Sequence, residues 1–374
     1  MTTDFKPVAF VETDAKRIEQ ELLLSYQAAL NQPLYEADPR RLFLLQMVPI
    51  LVGLLNKINY TGNSNLLPFA FGEVLDGLGA RMRVTRLSAQ KAKAVIRFTL
   101  SSIQAGPVSI PAGTRVTPDG ILYFTTQSVL AIQPGDTVGE VEIAAMEGGQ
   151  KYNGFLPGQI KLLVDPVPFV GSVINVTASS GGADAESDDA YRERQQLAPA
   201  SFSVAGPRDA YKFWAKSADV GIVDVAAVSP SPGVVNLYPL MENGAFPSAA
   251  VLQAVKEQVS SDDRRPLTDQ VNVLAPEIVD YSIALTYYIS KERSAEESTI
   301  RAAIEGEHGA ADQYEAWQQS KLGRPLTPDN LIARLYNAGA YRVAMTAPEY
   351  TSIADHKVAK RTNGTRALLY GGLI

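Results

Sequence analysis

The hydrophobic period changes twice along this chain, and no single sheet or bundle satisfies both periods. Up to about residue 90, apolar residues recur at helical spacing; from Lys93 to Thr177 the period is two; after Gly181 strand-like and helix-like runs alternate. The reading is an α+β, multidomain chain. It divides into an N-terminal helical segment at 1–90, an antiparallel β-rich domain at 91–180 and a helical junction at 181–214. Two C-terminal α/β two-layer units follow, one at 215–277 and a second with a C-terminal tail at 278–374. A length of 374 residues suits several folding units rather than one core.

In the first segment Ile18, Leu22 and Tyr26 lie four apart, and Leu23 and Leu30 extend their face. Asn31-Gln32-Pro33 ends that helix. From Arg40 to Tyr60 a second helix, or a broken pair, has apolar residues on nearly every side, Leu44, Leu45, Leu51 and Leu54 among them. A short segment cannot cover such a helix by itself. It is either an ordinary helical subdomain with its own core or one part of a bundle shared with a partner. Leu66 to Leu87 gives a third helical piece. The run Leu42 to Leu55 contains Gln46, Pro49 and Gly53 and reads as too short and too interrupted to span a bilayer, which needs about 20 apolar residues. The first residues carry no signal-peptide pattern, so a soluble protein without a membrane span is expected.

The β-rich stretch alternates cleanly, with Ile96, Phe98 and Leu100 on one face and Val95, Arg97 and Thr99 on the other. Further short runs at Val108–Ile110, Arg115–Thr117, Ile121–Thr126, Val138–Ala144, Lys161–Val164 and Val173–Thr177 are parted by Pro and Gly. That pattern argues an antiparallel sandwich or barrel. The next unit reads β-β-α-β, with strands at Gly221–Val228, Val234–Leu240 and Val271–Leu274 and a helix at Pro247–Val259. In the last unit Ile278–Ser290 reads as one long strand. A helix at Ser294–Glu305 is capped by Ser294 with Glu297 in the capping-box position, a second helix covers Thr327–Ala338, and Tyr341–Thr346 closes the unit. Arg265-Pro266-Leu267-Thr268 and Ala275-Pro276-Glu277 are echoed by Arg324-Pro325-Leu326-Thr327 and Ala347-Pro348-Glu349, through duplication or chance reuse. The apolar tail pairs either with this chain or with a neighbour.

The junction carries the densest signals. Ser187 can cap a helix whose first turn holds Asp188 and Asp189, where the helix dipole favours negative charge. Arg192 and Arg194 follow toward its C-terminal end, Tyr191 offers an aromatic to bury, Pro199 stops the helix, and Gly206-Pro207 opens another. The acids Asp184, Glu186, Asp188 and Asp189 read either as a divalent-metal loop or as an acidic helix start. Ligand alternation fails at Ser187-Asp188-Asp189 and no central Gly is present, which favours the helix start.

Composition excludes several functions. There are no cysteines, so disulfides, thiolate metal sites and Cys nucleophiles are out. His308 and His356 are the only histidines and stand alone. A formal net charge of −6 gives no basis for a sequence-independent grip on nucleic acid. No Ser-His-Asp or HExxH arrangement occurs, and no enzyme activity and no cofactor are expected.

Gly181-Gly182-Ala183-Asp184-Ala185-Glu186-Ser187-Asp188-Asp189-Ala190-Tyr191-Arg192-Glu193-Arg194 resembles the signature of the baseplate J-like proteins, wedge components of contractile phage tails and tail-like, pyocin-type bacteriocins. Ile110-Pro111-Ala112-Gly113-Thr114-Arg115-Val116-Thr117, Tyr123-Phe124-Thr125-Thr126, and downstream Gly206-Pro207-Arg208-Asp209-Ala210-Tyr211 and Arg265-Pro266-Leu267-Thr268 fit the same family order. The resemblance implies a structural wedge subunit of a contractile injection system. Two copies join one smaller wedge partner, N-terminal helices bundle and meet the sheath-initiating protein, and C-terminal modules pair with neighbouring wedges around the hub and spike. On this likeness Ile18, Leu22, Leu23, Tyr26, Leu44, Leu45, Leu51 and Leu54 face the partner bundle. Asp184, Ser187, Asp188, Asp189, Tyr191, Arg192 and Arg194 hold the structural junction. Assembly in the bacterial cytoplasm and a place in the particle's baseplate are implied as well. The competing reading is a metal-dependent carbohydrate-binding or adhesive tail domain.

Overall fold

Asp14 starts the first helix: its carboxylate accepts from the Lys16 and Arg17 amides, at 2.8 and 3.0 Å, and α1 runs Ala15–Leu30 until Asn31 turns left-handed at φ 53°. Asp38 caps α2, Pro39–Ser64, with proline in the first-turn position. A third helix, α3, spans Gly72–Arg81. The computed structural model describes residues 5–203, 206–261, 264, 266 and 268–374. The chain divides into two compact units, 1–86 and 87–374.

Of the alternatives for Arg40–Tyr60, a second helix or a broken pair, the structure has the single helix: α2 is continuous for 26 residues through Pro49 and Gly53. A proline inside a helix removes one ladder hydrogen bond, and here the rest of the ladder carries the helix through. By length and composition α2 is therefore long and apolar enough to cross a membrane, contrary to the reading of a short, interrupted run. The expected third helix is also shorter than Leu66–Leu87.

The second unit opens with a barrel. Strands β1 (Lys93–Leu100), β2 (Val108–Ile110), β3 (Arg115–Thr117), β4 (Phe124–Thr126), β5 (Leu130–Ile132), β6 (Val138–Ala145), β7 (Leu162–Leu163) and β8 (Val170–Asn175) build it. Six form an antiparallel sheet in the order β7-β3-β4-β6-β1-β8, and β2 pairs with β5. Asn175 draws the two ends together: its amide donates to the Ile160 carbonyl at 3.1 Å, and its Oδ1 accepts from the Gly158 and Ile160 amides. The period of two does its work, since Ile96, Phe98, Phe124 and Ile143 are fully buried inside. Phe124 meets Tyr152 and Phe155 edge to face.

Helices α4 (Asp188–Leu197) and α5 (Arg208–Lys216) lead into β9 (Ile222–Ser231), β10 (Val234–Met241), α6 (Ala249–Val259) and β11 (Gln270–Val273). The sheet order is β11-β10-β9, with β10 antiparallel to β9 and parallel to β11, and Tyr211, Leu237, Val255 and Val259 form its core. The long strand expected over Ile278–Ser290 is two strands, β12 (Glu277–Val279) and β13 (Ile283–Ile289), in different sheets. The break has a cause. The Asp280 carboxylate accepts from the Thr362 and Asn363 amides and Ser282 Oγ from Thr365, so these residues serve a loop rather than a ladder. Helix α7 (Glu297–Glu305) is preceded by a 3-10 turn whose cap is Ser290, not Ser294. Helix α8 (Ala310–Gln319) escaped the sequence reading. It is followed by α9 (Pro328–Asn337), β14 (Arg342–Ala347), β15 (Lys357–Ala359) and β16 (Arg366–Leu373).

The tail pairs within the chain, as β16 lies parallel to β13 in a sheet ordered β14-β13-β16. The two α/β sheets differ in order, with the second strand central in one and the first in the other. Among the described residues the shared phrases also lead into different elements: Pro266 and Thr268 precede a strand, whereas Arg324–Thr327 precedes α9. Arg265 and Leu267 lie outside the described residues. Asp224 Oδ2 accepting from the Leu322 amide at 2.9 Å and Lys360 Nζ donating to the Gly244 carbonyl at 2.9 Å tie the two α/β layers together.

Candidate functional site

The junction is built on a ladder with three-residue steps. The Lys93 amide donates to Ser180 and the Gln90 amide to Ala183, each at 2.8 Å, and the Glu186 amide donates to Leu87 at 3.0 Å. Between the rungs Gly181 sits at φ 83°, and a Cβ on Gly182 would lie 2.5 Å from the Gly149 carbonyl oxygen, so the glycine pair is required. Asn153 pins the pair through both its amide groups, accepting from Gly182 N at 2.8 Å and donating to Gly182 O at 2.6 Å.

At the end of the ladder stands a buried ion pair. Arg194 Nε and Nη2 donate to Glu186 Oε1 and Oε2 at 2.8 and 2.7 Å, and Glu186 and Arg194 keep only 6% and 3% of their surface. Glu186 Oε2 also accepts from the Leu87 amide at 2.9 Å. The Arg194 guanidinium lies 3.4 Å from Ser217 Oγ and 5.5 Å from the centre of the buried Tyr191 ring. Lys216 adds a 2.8 Å contact to Glu193. One charge pair thus binds the segment entering the barrel, α4 and the residue after α5. Such bidentate geometry is what lets a buried pair offset its desolvation.

The other junction residues have separate tasks. Ser187 caps α4 by accepting from Ala190 N at 3.3 Å. Asp189 pairs with Arg192 at 2.5 Å on the surface, Asp188 lies in the first turn, and Asp184 accepts from Gln150 N at 3.1 Å. The four acids therefore do not converge, and among the described residues no group of three His, Cys, Asp or Glu side chains could hold a metal ion. The sequence reading missed Glu186 as a junction residue; it precedes the α4 cap, and no local pattern sets it apart from its acidic neighbours.

Glu242 marks a second contact between the barrel and the following α/β layer. Its carboxylate meets the Gln150 side-chain amide, and partial burial, then the Asp184 charge, raises its pKa. A group raised on folding contributes stability below its unfolded pKa and loses it as pH rises through the folded value. Glu242→Gln should therefore raise the melting temperature at pH 7 to 8 by a small amount, and that gain should vanish on acidification toward pH 4.

In the helical unit the predicted bundle residues split. Leu44 is buried; Ile18, Leu22, Leu23, Tyr26, Leu45 and Leu51 are half-buried where α1 and α2 pack together; of the set, Leu54 stays exposed. The open face of α2 is a different stripe: Phe43, Met47, Ile50, Leu54 and Ile58, at 67, 37, 61, 52 and 49% exposure. Spacings of four, three and four along Phe43, Met47, Ile50 and Leu54 are those of a coiled-coil seam. On another face Asn59 and Asn63, one turn apart, hold an extended strap. Asn63 accepts from Val8 N and donates to Val8 O, both at 2.8 Å, and Asn59 does the same for Val11 at 2.9 Å. Each side-chain amide imitates a strand neighbour. Asn63→Ala should release the strap, seen as faster amide exchange at Val8 with little change in α2 beyond its last turn.

Comparison with known proteins decides the family. Residues 95–182 match the Baseplate J-like protein barrel domain, and residues 203–275 match the Baseplate J-like central domain. Baseplate protein J of Escherichia phage P2 is 36% identical over 166 residues, covering 44% of this chain and 52% of that protein. The chain carries the barrel and central domains of the baseplate J-like family. This baseplate J-like chain is also 27% identical over 195 residues to the phage-like element PBSX protein XkdT of Bacillus subtilis strain 168, across 52% of the chain and 51% of the relative. It spans about half the length of the curated relatives it matches. A chain in the cryo-EM structure of the anti-feeding prophage baseplate, 6-fold symmetrised, aligns over 93% of this chain and 90% of its own length, with 14% identity and a TM-score of 0.46.

Proposed function

We propose that this baseplate J-like chain is a structural wedge subunit of a contractile tail or tail-like bacteriocin, and that it turns over no substrate. The observation that carries the reading is the pair of family domains, barrel and central, joined by the buried Glu186–Arg194 clasp. The segment 181–214 fixes the barrel at 91–180 against the α/β unit at 215–277. The unit at 278–374 supplies contacts to neighbouring wedges, and the helical segment at 1–90 enters a bundle. Its partners are a second copy, a smaller wedge partner and the sheath-initiating protein, met during assembly in the bacterial cytoplasm. The ring around hub and spike changes interfaces when the sheath contracts, and such a switch needs a difference in contact energy between the two states.

Co-expression with the flanking reading frames, followed by size-exclusion chromatography with light scattering, tests this. A stable complex holding more than one copy of the chain is expected. A persistent monomer beside those products would contradict the reading.

A further inference from the structure

We propose that a hollow between the two α/β layers binds inorganic phosphate, with Arg208, Lys212 and Lys321 as cationic donors and Asp355 as acceptor for the proton that phosphate keeps. Its chemistry is independent of the wedge reading. Arg208 and Lys212 lie four apart on α5 and so share one face of that helix, while Tyr211 and Ala215 enter the core of the first layer. Lys321 belongs to the second layer, in the turn after α8. All three line one hollow of about 210 Å³, together with the Asp224–Ala227 stretch of β9. In a chain of formal net charge −6, none of these three cations has a hydrogen bond or ion pair among the described residues.

The walls are fixed by backbone contacts. The Leu322 amide donates to Asp224 Oδ2 and the Gly323 amide to the Lys357 carbonyl, each at 2.9 Å. Gly323 sits at φ 65°, and a Cβ on it would lie 3.0 Å from the Asp355 Cα, so the turn requires glycine. A ligand held from both sides is bound only while the two layers stay docked.

The lining charges choose the ligand. Asp224 and Asp355 line the hollow as well. Asp224 is already engaged, accepting from the Val225 amide through Oδ1 and from the Leu322 amide through Oδ2. The Asp355 side chain has no partner among the described residues. An ionised carboxylate can only accept hydrogen bonds. It repels an oxyanion that has no proton, such as sulfate or a phosphate monoester dianion, but it can accept from the hydroxyl of hydrogen phosphate. Donors arriving from two layers also suit a tetrahedral oxyanion better than a planar carboxylate.

Calorimetric titration of the full chain with sodium phosphate, sodium sulfate and glycerol phosphate, slightly above neutral pH and at a common ionic strength of about 0.15 M, tests this. One phosphate should bind per chain, at least about tenfold more tightly than either of the others. Lys212→Met in the first layer and Lys321→Met in the second should each weaken phosphate binding by about tenfold, the usual worth of a hydrogen bond to a charged group, with circular dichroism unchanged. Lys321 is exposed and Lys212 half-buried, and the selectivity of the unaltered chain decides the matter if either variant misfolds. Asp355→Asn should bring sulfate up to the affinity of phosphate, because an amide can donate where a carboxylate cannot. Phosphate should also raise the melting temperature of the unaltered chain by mass action, and not that of the Lys212→Met, Lys321→Met double variant. No saturable phosphate binding, equal binding of phosphate and sulfate, or an affinity that neither lysine variant changes would overturn the proposal. None of those results touches the wedge reading, which complex formation on co-expression decides.

Discussion

Glu186→Ala should destabilise the larger unit by about 3–5 kcal/mol, the usual loss when one member of a buried ion pair is removed. The cause is the charge left behind: Arg194, 3% exposed, would lose the carboxylate that meets its guanidinium at 2.7 and 2.8 Å. The Leu87 amide would lose its acceptor in the same step. At about 2–4 °C per kcal/mol for a unit of 150–250 residues, and somewhat less for a larger one, the melting temperature should fall by roughly 6–15 °C. Arg194→Ala should cost a similar amount. Replacing both together by Leu and Met should recover most of the loss, because no unpaired charge then remains. Asp189→Ala serves as the control: its pair with Arg192 lies on the surface, with the Asp189 side chain 95% exposed, and should be worth less than about 1 kcal/mol. Urea unfolding of the four variants measures this. Equal effects for Glu186→Ala and Asp189→Ala would remove the clasp from the account.

Ile50→Glu combined with Leu54→Glu should leave the isolated chain folded and abolish docking on α2. Both side chains are mostly in water, so the substitution costs the free chain little. In a covered seam each would be a central contact worth about 2 kcal/mol, and the pair should weaken binding by roughly a thousandfold at 1.4 kcal/mol per factor of ten. Leu44→Glu makes the contrast. Leu44 is 6% exposed, and a carboxylate there should unfold the helical unit itself. Partner capture from the co-expressed mixture, with helicity as the folding control, separates the two outcomes.

How much of this was legible in the sequence depends on whether the signal was local. Strand β1 was readable because Val95–Leu100 alternates and one face must be buried, whereas the short β5, Leu130–Ile132, escaped the sequence reading. The Ser187 cap and its acidic first turn were readable because capping is decided within four residues. What failed was decided at long range. Ile278–Ser290 has the pattern of one strand, yet Asp280 and Ser282 bond to residues more than eighty positions away, which parts it. Pro49 reads as a helix breaker but sits inside α2. Glu186 was grouped with its acidic neighbours, although only its partner Arg194 and the Leu87 amide distinguish it. On α2 nearly every position is apolar, so the sequence alone did not separate the face packed in the helical unit from the exposed stripe.

Hydrogen–deuterium exchange on α2, compared between the isolated chain and intact particles, tests the central claim most directly. If this chain is a building block whose apolar surfaces are completed by other chains, the amides of residues 43–58 exchange far more slowly in the particle. Equal exchange in the two states would show a seam that nothing covers, and the account would be wrong.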